Sequence, residues 1–324
     1  MAKLPELDYE VEADRISERL RHLVLTVLRR RGMVVAMSGG IDSSCCAALA
    51  VRALGKDRVF GLLMPERDSS SESSRLAKLL ASHLGIPYVL QDIAPTLESI
   101  GCYGSQDEVL GRVLPGFGAG WKFKLAIRDA MHGRVSVTKL IAEAPGGRRH
   151  EVRLGPCDYL QLVAATNFKQ RIRKNLEYYH ADRLNYAVTG TPNRLEYDQG
   201  FFVKNGDGAA DVKPIAHLYK SQVYSLARFL GLPEAVTSTT PTTDTFSLAQ
   251  GQDEFYFKLP YPQMDLALWH LNQGLSAKEL AMELRCSEAD AQRIFDDILA
   301  KRRSTAYLHA TAQLVVPISE IAAK

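Results

Sequence analysis

The chain predicts an α/β fold: a doubly wound parallel sheet with helices on both faces, followed by a helical C-terminal extension. Three observations carry that prediction. Apolar runs alternate with amphipathic stretches in the order strand 33–37, helix 41–54, strand 58–64, helix 72–84, strand 87–92, which is the rhythm of parallel strands joined by crossover helices. The first strand ends in Ser-Gly-Gly and then opens a helix, placing a tight turn where such sheets bind ligands. From residue 263 onward the pattern is helical only.

Taken in order, residues 10–31 carry apolar positions at helical spacing among Arg and Glu and read as an amphipathic lead-in helix. The alternation then runs to residue 92 and breaks between about 102 and 156. There a glycine-rich stretch precedes VSVTKLIAEAPGGRRHEVRL, which reads as two strands around a Pro-Gly-Gly turn. This segment is taken as an insertion, a hairpin with a lid or an exposed elaboration. A long helix over 159–180, a strand over 184–191 and a helix over 217–232 resume the pattern. The expected organisation is one α/β domain over 1–262, carrying the insertion, and a helical extension over 263–324.

Composition narrows the function classes. The 324 residues are 46% hydrophobic and 24% charged, as in an ordinary globular protein. A net charge of +3 is too small to argue for nucleic acid. GLSAKELAMELRCSEADAQRIF has the spacing of a helix-turn-helix, but no basic stripe lies on its second helix, so no DNA partner is expected. No run of eighteen apolar residues argues for a membrane span, and the first residues lack a signal-peptide core, which leaves the cytoplasm as the expected compartment. The five cysteines, Cys45, Cys46, Cys102, Cys157 and Cys286, show no C-x-x-C spacing, so neither a zinc site nor a disulfide framework is expected. Cys45 and Cys46 read as small packing residues rather than nucleophiles.

The richest stretch is MVVAMSGGIDSS at 33–44. Glycines let the backbone turn sharply and approach a ligand, and the free N–H groups of the turn and first helical turn face an anion. Asp42 then sets a carboxylate beside that anion, which calls for a cation between them; pyrophosphate carried with Mg²⁺ satisfies both. No G-K-[ST] follows, so the loop is not a Walker A motif. The string S-G-G-x-D-S resembles the signature loop of the ATP pyrophosphatase superfamily, which cleaves ATP to AMP and pyrophosphate on an adenine nucleotide alpha hydrolase-like fold.

A second constellation follows the strand at 184–191: TGTPNRLEYDQGFFVKNGDGAADVKPIAHLYKSQ. Lying at the same sheet edge, it gathers Glu196, Lys204, Asp207 and Asp211. A carboxylate there can share a metal with Asp42, and a lysine can neutralise phosphate charge. Its spacing resembles that of NAD synthetases, the amide-forming branch of the superfamily. The resemblance extends to Asn167 and Arg171 in TNFKQRIR, to LYKSQVYSLARFLGLPE and to PTTD at 241–244, and covers roughly 15–95 and 158–305. The segment 102–156 has no counterpart in it.

The resemblance implies a carbon–nitrogen ligase. The carboxylate of nicotinic acid adenine dinucleotide (deamido-NAD) would attack the α-phosphorus of ATP, Mg-pyrophosphate would leave, and ammonia would displace AMP to give NAD. Carried over by position, Ser38, Gly39, Gly40, Ile41, Asp42 and Ser43 cradle ATP, with Thr191, Lys220 and Thr242 also contacting it. Asp42 and Glu196 hold Mg²⁺; Arg171, Lys204, Asp211 and His309 meet the acid substrate; Asp42, Lys204 and Lys220 carry catalysis by positioning and charge. The family's C-terminal His-Lys-Arg run is here His309-Ala310-Thr311, a departure on the acceptor side. Two acceptor readings therefore stand, deamido-NAD and a different carboxylic acid in a diverged homologue, with a silent nucleotide-binding protein as a third. The nitrogen source is expected to be free ammonia or a separate glutaminase subunit, and the assembly a homodimer.

Overall fold

In the computed structural model, residues 4–127, 138–239, 246–248, 251, 256, 257 and 259–318 are described. The central sheet has the order β3-β2-β1-β7, all parallel. Its strands are β1 (Met33–Ala36), β2 (Val59–Leu63), β3 (Tyr88–Leu90) and β7 (Ala187–Val188). Alternate residues of each strand enter different cores, as a pleated strand requires. Met33 and Val35, with Val59 and Leu63, pack against α1 (Tyr9–His22), α2 (Ile41–Leu54), α3 (Ser71–Leu84) and α8 (Lys220–Phe229). Val34 and Leu62 pack on the other face with Leu97 of α4 (Ala94–Ser99), Tyr103 of α5 (Cys102–Val113) and Ala181 of α6 (Pro156–Leu184). The sheet is doubly wound, as its apolar pattern predicts.

Helix α1 is opened by Asp8, whose carboxylate accepts the N–H groups of Glu10 and Val11. It ends sooner than the 10–31 pattern suggests: a π-helical turn over Leu23–Val27 and the left-handed Arg29 break it before β1. The predicted strand at 184–191 pairs with β1 only at Ala187 and Val188. Leu184 still belongs to α6, Asn185 caps it in the left-handed region, and Thr189 bridges to Val212 instead.

The segment 102–156 holds α5 and an antiparallel sheet of β4 (Lys122–Ile127), β5 (Thr138–Glu143) and β6 (Arg149–Arg153), in that order. The two strands around Pro145-Gly146-Gly147 match the expected hairpin; β4 is an addition. Leu125, Leu140 and Ala142 form a separate small core with Val109, Leu162 and Phe246. Helices α10 (Tyr261–Asn272), α11 (Ala277–Leu284) and α12 (Glu288–His309) form the C-terminal bundle around Leu268, Leu280, Phe295 and Ile298. The stretch with helix-turn-helix spacing is thus a pair of packing helices. Among the described residues no helix is long and apolar enough to cross a membrane.

Candidate active site

A cavity of about 1180 Å³ opens at the carboxyl ends of β1 and β2, larger than the few hundred Å³ that one small ligand needs. Its floor is the turn between β1 and α2. Gly39 has φ +80°, and a Cβ there would sit 2.4 Å from the carbonyl oxygen of Ser73, so both conformation and space demand glycine. Ser38 and Ser43 face each other with hydroxyls 3.1 Å apart, and the Ser44 hydroxyl donates to Gly40 O at 2.7 Å. These bonds set the turn so that the first N–H groups of α2, which have no intrahelical acceptor, face the cavity.

Two other helices bring side chains to this floor, and a third braces them. Helix α7 (Arg194–Gln199) starts in a capping box: Asn193 accepts from the Leu195 and Glu196 N–H groups, while Glu196 Oε2 accepts the Asn193 N–H. The Asn193 amide also donates to Asp42 Oδ1 at 3.1 Å, tying α7 to α2. From α8 comes Lys220, 1% exposed, whose ammonium pairs with Asp42 Oδ2. The start of α8 is itself held by Asp265 of α10. Its carboxylate accepts the Lys220 N–H at 3.1 Å and the Ser221 N–H at 2.8 Å, together with the Ser221 hydroxyl.

The charges are strongly coupled. Burial, helped by the neighbouring Asp42, pushes Glu196 up to about 8. Burial acts to lower Lys220, but Asp42 and Glu196 outweigh it and hold the lysine above its ordinary value. Burial likewise pushes Asp265 up to about 6 against its hydrogen bonds from Ser221 and Lys220. A buried carboxyl raised in this way beside a second carboxylate favours one more positive charge, and Asp42 with Glu196 offers the hard oxygen donors Mg²⁺ uses. Two carboxylates do not complete a cage, which suits a metal that takes its remaining ligands from water and phosphate.

Most of the residues predicted from sequence meet here. Ser38, Gly39, Gly40, Ile41, Asp42, Ser43, Thr191, Glu196, Lys220, Arg171 and Lys204 all line the cavity. Lys204 is already engaged: its ammonium donates to Tyr307 O at 2.7 Å and Ala310 O at 2.9 Å, at the C-terminal end of α12. Arg171 donates to Lys204 O at 3.3 Å. Asp211 lies off the cavity wall, exposed, accepting the Val188 N–H at 2.7 Å and so fixing the end of β7. His309 is also off the wall, its ring edge-on to Tyr197 and Phe202 at 4.9 and 5.1 Å. Thr242 lies outside the described residues. Cys45 and Cys46 are fully buried, and burial raises both thiols, as packing residues require.

Other participants escape the sequence reading. Lys169 of α6 is completely buried and pairs with Glu66 Oε1 at 3.0 Å and Asp68 Oδ2 at 2.6 Å. Tyr103 donates to the other Glu66 oxygen at 2.8 Å. This cluster fixes the loop after β2, whose Pro65, Asp68 and Ser69 line the cavity. Lys174 pairs with Glu177 at 2.7 Å nearby; Asp207, which the sequence does single out, also lines the cavity and accepts the Val203 N–H at 2.8 Å. The available signal is a charge at an otherwise apolar position: Leu162, Ala165, Thr166 and Lys169 share one buried helical face.

Comparison with known proteins shows the family. An NH(3)-dependent NAD(+) synthetase of Mesorhizobium japonicum is 56% identical over 315 residues, spanning 97% of this chain and 99% of that protein. The protein of the same name from Thermotoga maritima is 38% identical over 253 residues, 77% of this chain and 84% of that one. Among solved structures, an NH3-dependent NAD synthetase from Campylobacter jejuni, in complex with the nitrate ion, superposes with a TM-score of 0.63 at 21% identity, covering 96% of this chain and all of that one. An NMN synthetase from Francisella tularensis gives 0.67 at 21% identity, covering 95% and 99%. At such identities the structures speak for the fold alone. The NAD synthase family model matches residues 13–109 and 148–304, and with that match and relatives of this similarity the chain belongs to the NAD synthase family.

Proposed function

We infer that this chain is a carbon–nitrogen ligase that makes NAD from deamido-NAD, ATP and ammonia. The observation that carries the reading is the convergence of Asp42, Asn193, Glu196 and Lys220 on the phosphate-sized turn at Ser38–Gly40, within a cavity large enough for two nucleotides.

The chemistry follows from the charges. A carboxylate resists amidation until one of its oxygens becomes part of a good leaving group. The substrate carboxylate oxygen forms a bond to the α-phosphorus while the bond from that phosphorus to the bridging oxygen breaks, and pyrophosphate leaves. Ammonia then adds to the acyl carbon, AMP departs with the oxygen it gained, and the nitrogen loses a proton. The turn and the first N–H groups of α2 hold the phosphates, and Lys220 offsets the negative charge that grows as pyrophosphate separates. Asp42 and Glu196 would hold Mg²⁺, which supplies charge neutralisation to the departing pyrophosphate. Thr191 and Thr242 are assigned to ATP, and Arg171, Lys204, Asp211 and His309 to the acid substrate. No side chain is required as a covalent nucleophile.

The α/β unit over 1–262 carries the chemistry in this reading, and the helical extension over 263–324 adds the wall formed by Thr305, Tyr307 and Leu308. Leu160, Phe168 and Tyr179 stand 63, 37 and 62% exposed along one stripe of α6, and we assign that stripe to a second copy of the chain. The enzyme works in the cytoplasm, where ATP is supplied, on free ammonia or on ammonia from a separate glutaminase. Incubation with Mg-ATP, ammonium and deamido-NAD tests the reading: NAD, AMP and pyrophosphate appear in equal amounts. ATP binding without NAD would overturn it in favour of another acceptor acid.

A further inference from the structure

Asn167, Gln170 and Arg171 of α6 line the cavity, but Lys169 between them is fully buried and reaches instead the loop that joins β2 to α3. Its ammonium donates to Glu66 Oε1 at 3.0 Å and to Asp68 Oδ2 at 2.6 Å, across 103 and 101 residues of chain. The second Glu66 oxygen accepts the Tyr103 hydroxyl at 2.8 Å, and that hydroxyl accepts the Arg67 N–H at 3.2 Å. Arg67 covers the cluster from outside, its guanidinium 3.9 Å from the Tyr103 ring centre, 3.8 Å from Asp68 Oδ1 and 3.9 Å from Asp107 Oδ1. The side chains of Glu66 and Lys169 are 0% exposed and that of Asp68 6%, so the lysine is the buried counter-charge of two buried carboxylates.

The loop this cluster holds adjoins the phosphate turn. Met64, Pro65, Asp68, Ser69 and Ser70 line the cavity, at the carboxyl end of the strand paired with β1. Ser70 opens α3 by accepting the Ser73 N–H at 3.0 Å, and the Ser73 carbonyl is the group that leaves no room for a Cβ at Gly39. Helix α3 is seated from behind, its Leu76 and Leu80 sharing a core with Val236 of α9 (Glu234–Thr237). Loop, helix and turn thus form one continuous rim. Asp68 is the misfit in that rim: a carboxylate at the wall of a cavity that takes a polyphosphate, where poorly screened like charges repel strongly. Of the cluster, Asp68 lines the cavity, and Glu66, Lys169 and Tyr103 stand behind it.

We propose that Lys169 is a positioning residue for ATP: by holding Glu66 and Asp68 it sets the loop after β2 beside the phosphate turn and cancels the carboxylate charge that would otherwise face the triphosphate. It acts through the loop and touches no substrate. Without its ammonium, the two carboxylates are left close together with no buried counter-charge, and they are driven toward the water of the cavity, the space the phosphates need. The effect falls on the ATP side, because α6 keeps its own place through Ile172, Leu176 and Ala181 on the sheet, which leaves Arg171 where it is. This role rests on the reading of the cavity as an ATP site.

The test measures KM for ATP and for deamido-NAD, with calorimetric ATP binding, in the full-length protein and in Lys169→Met, Lys169→Met combined with Asp68→Asn, and the milder Tyr103→Phe. The expected result is that Lys169→Met raises the KM for ATP on the order of tenfold while the KM for deamido-NAD stays within about twofold. The double variant recovers most of that loss, since the wall no longer carries an unanswered charge, and Tyr103→Phe raises the KM for ATP about threefold. An unaltered KM for ATP in Lys169→Met overturns the role. So does an equal rise in both KM values, or a double variant no better than the single one, since either makes the cluster a general support of the fold. If Lys169→Met does not fold, Tyr103→Phe decides, and an unaltered KM for ATP there overturns the role. If the wild-type protein binds no ATP, the functional reading falls and takes this inference with it; equal ATP binding in the wild type and the variants removes only the role of Lys169.

Discussion

Lys220 and Asp42 are 178 residues apart in sequence and form an ion pair at the floor of the cavity, the lysine 1% and the carboxylate 15% exposed. The pair joins the start of α8 to the first turn of α2, so the phosphate turn and the cationic group opposite it are set by one contact. Removing either partner strands the other in a poorly solvated place, a loss of about 3–5 kcal/mol for a buried charge.

Asp42→Asn is therefore expected to lower stability by several kcal/mol, in that range, and to abolish pyrophosphate release. The double variant Asp42→Asn with Lys220→Met should recover much of the stability but none of the activity. Denaturant unfolding and a pyrophosphate assay separate the two effects. Catalysis surviving in the double variant would show that the pair serves folding only.

At Gly39 an alanine meets the Ser73 carbonyl and a left-handed backbone at once. We expect Gly39→Ala to cost roughly 2–3 kcal/mol and to weaken ATP binding sharply, because the turn must move away from α3. Calorimetric titration with ATP checks this. Wild-type affinity would mean that the turn is not the phosphate cradle.

Lys204 neutralises two carbonyls at the C-terminal end of α12, where a cation is favoured by the helix dipole. Lys204→Ala should speed hydrogen exchange in the last turn of α12 and lower kcat on the order of a hundredfold, with little change in ATP affinity. An unaltered kcat at saturating substrates would confine Lys204 to holding the helix.

Asp265 gives a pH dependence with a definite sign. Its folded-state pKa of about 6 lies above the ordinary value of 3.8, so the folded protein holds this proton more tightly than the unfolded chain. Its contribution is most favourable below about pH 4 and declines as pH rises from about 4 to 6, by roughly 3 kcal/mol at most. Asp265→Asn should flatten that part of the stability profile while slowing turnover, since one N–H at the start of α8 loses its acceptor. An identical profile in the variant would show that another group sets it.

What could be read in the sequence divides by the distance over which a residue acts. The phosphate turn was legible because its requirements are local: a left-handed Gly39, small neighbours, and a helix start within a few residues. Glu196 and Lys220 were legible because each opens a helix inside a recognisable string. Lys169 with Glu66 and Asp265 with Lys220 are bonds across 103 and 45 residues, and no spacing in the chain announces them. Strand β4 was missed beside its glycine-rich lead, although Lys122-Phe123-Lys124-Leu125 alternates polar and apolar as a half-buried strand does. Asp211 and His309 match the family's pattern by position, whereas the contacts they make, Asp211 with the Val188 N–H and His309 with two aromatic rings, are set by the fold and have no signal in the spacing.

Helix α6 works as a lever arm. One half is clamped to the sheet from Ile172 onward, and the other reaches about 20 Å from there along the cavity to Tyr159, beside the inserted strands. A tilt of about 6° at the clamp would displace Tyr159 by about 2 Å, enough to change the width of the cavity at that end. Substitutions at Ile172 or Leu176, whose side chains face the sheet and not the cavity, would then be felt at the opposite end of the helix, and the sheet core sets the tolerance to which the cavity's far wall is gauged.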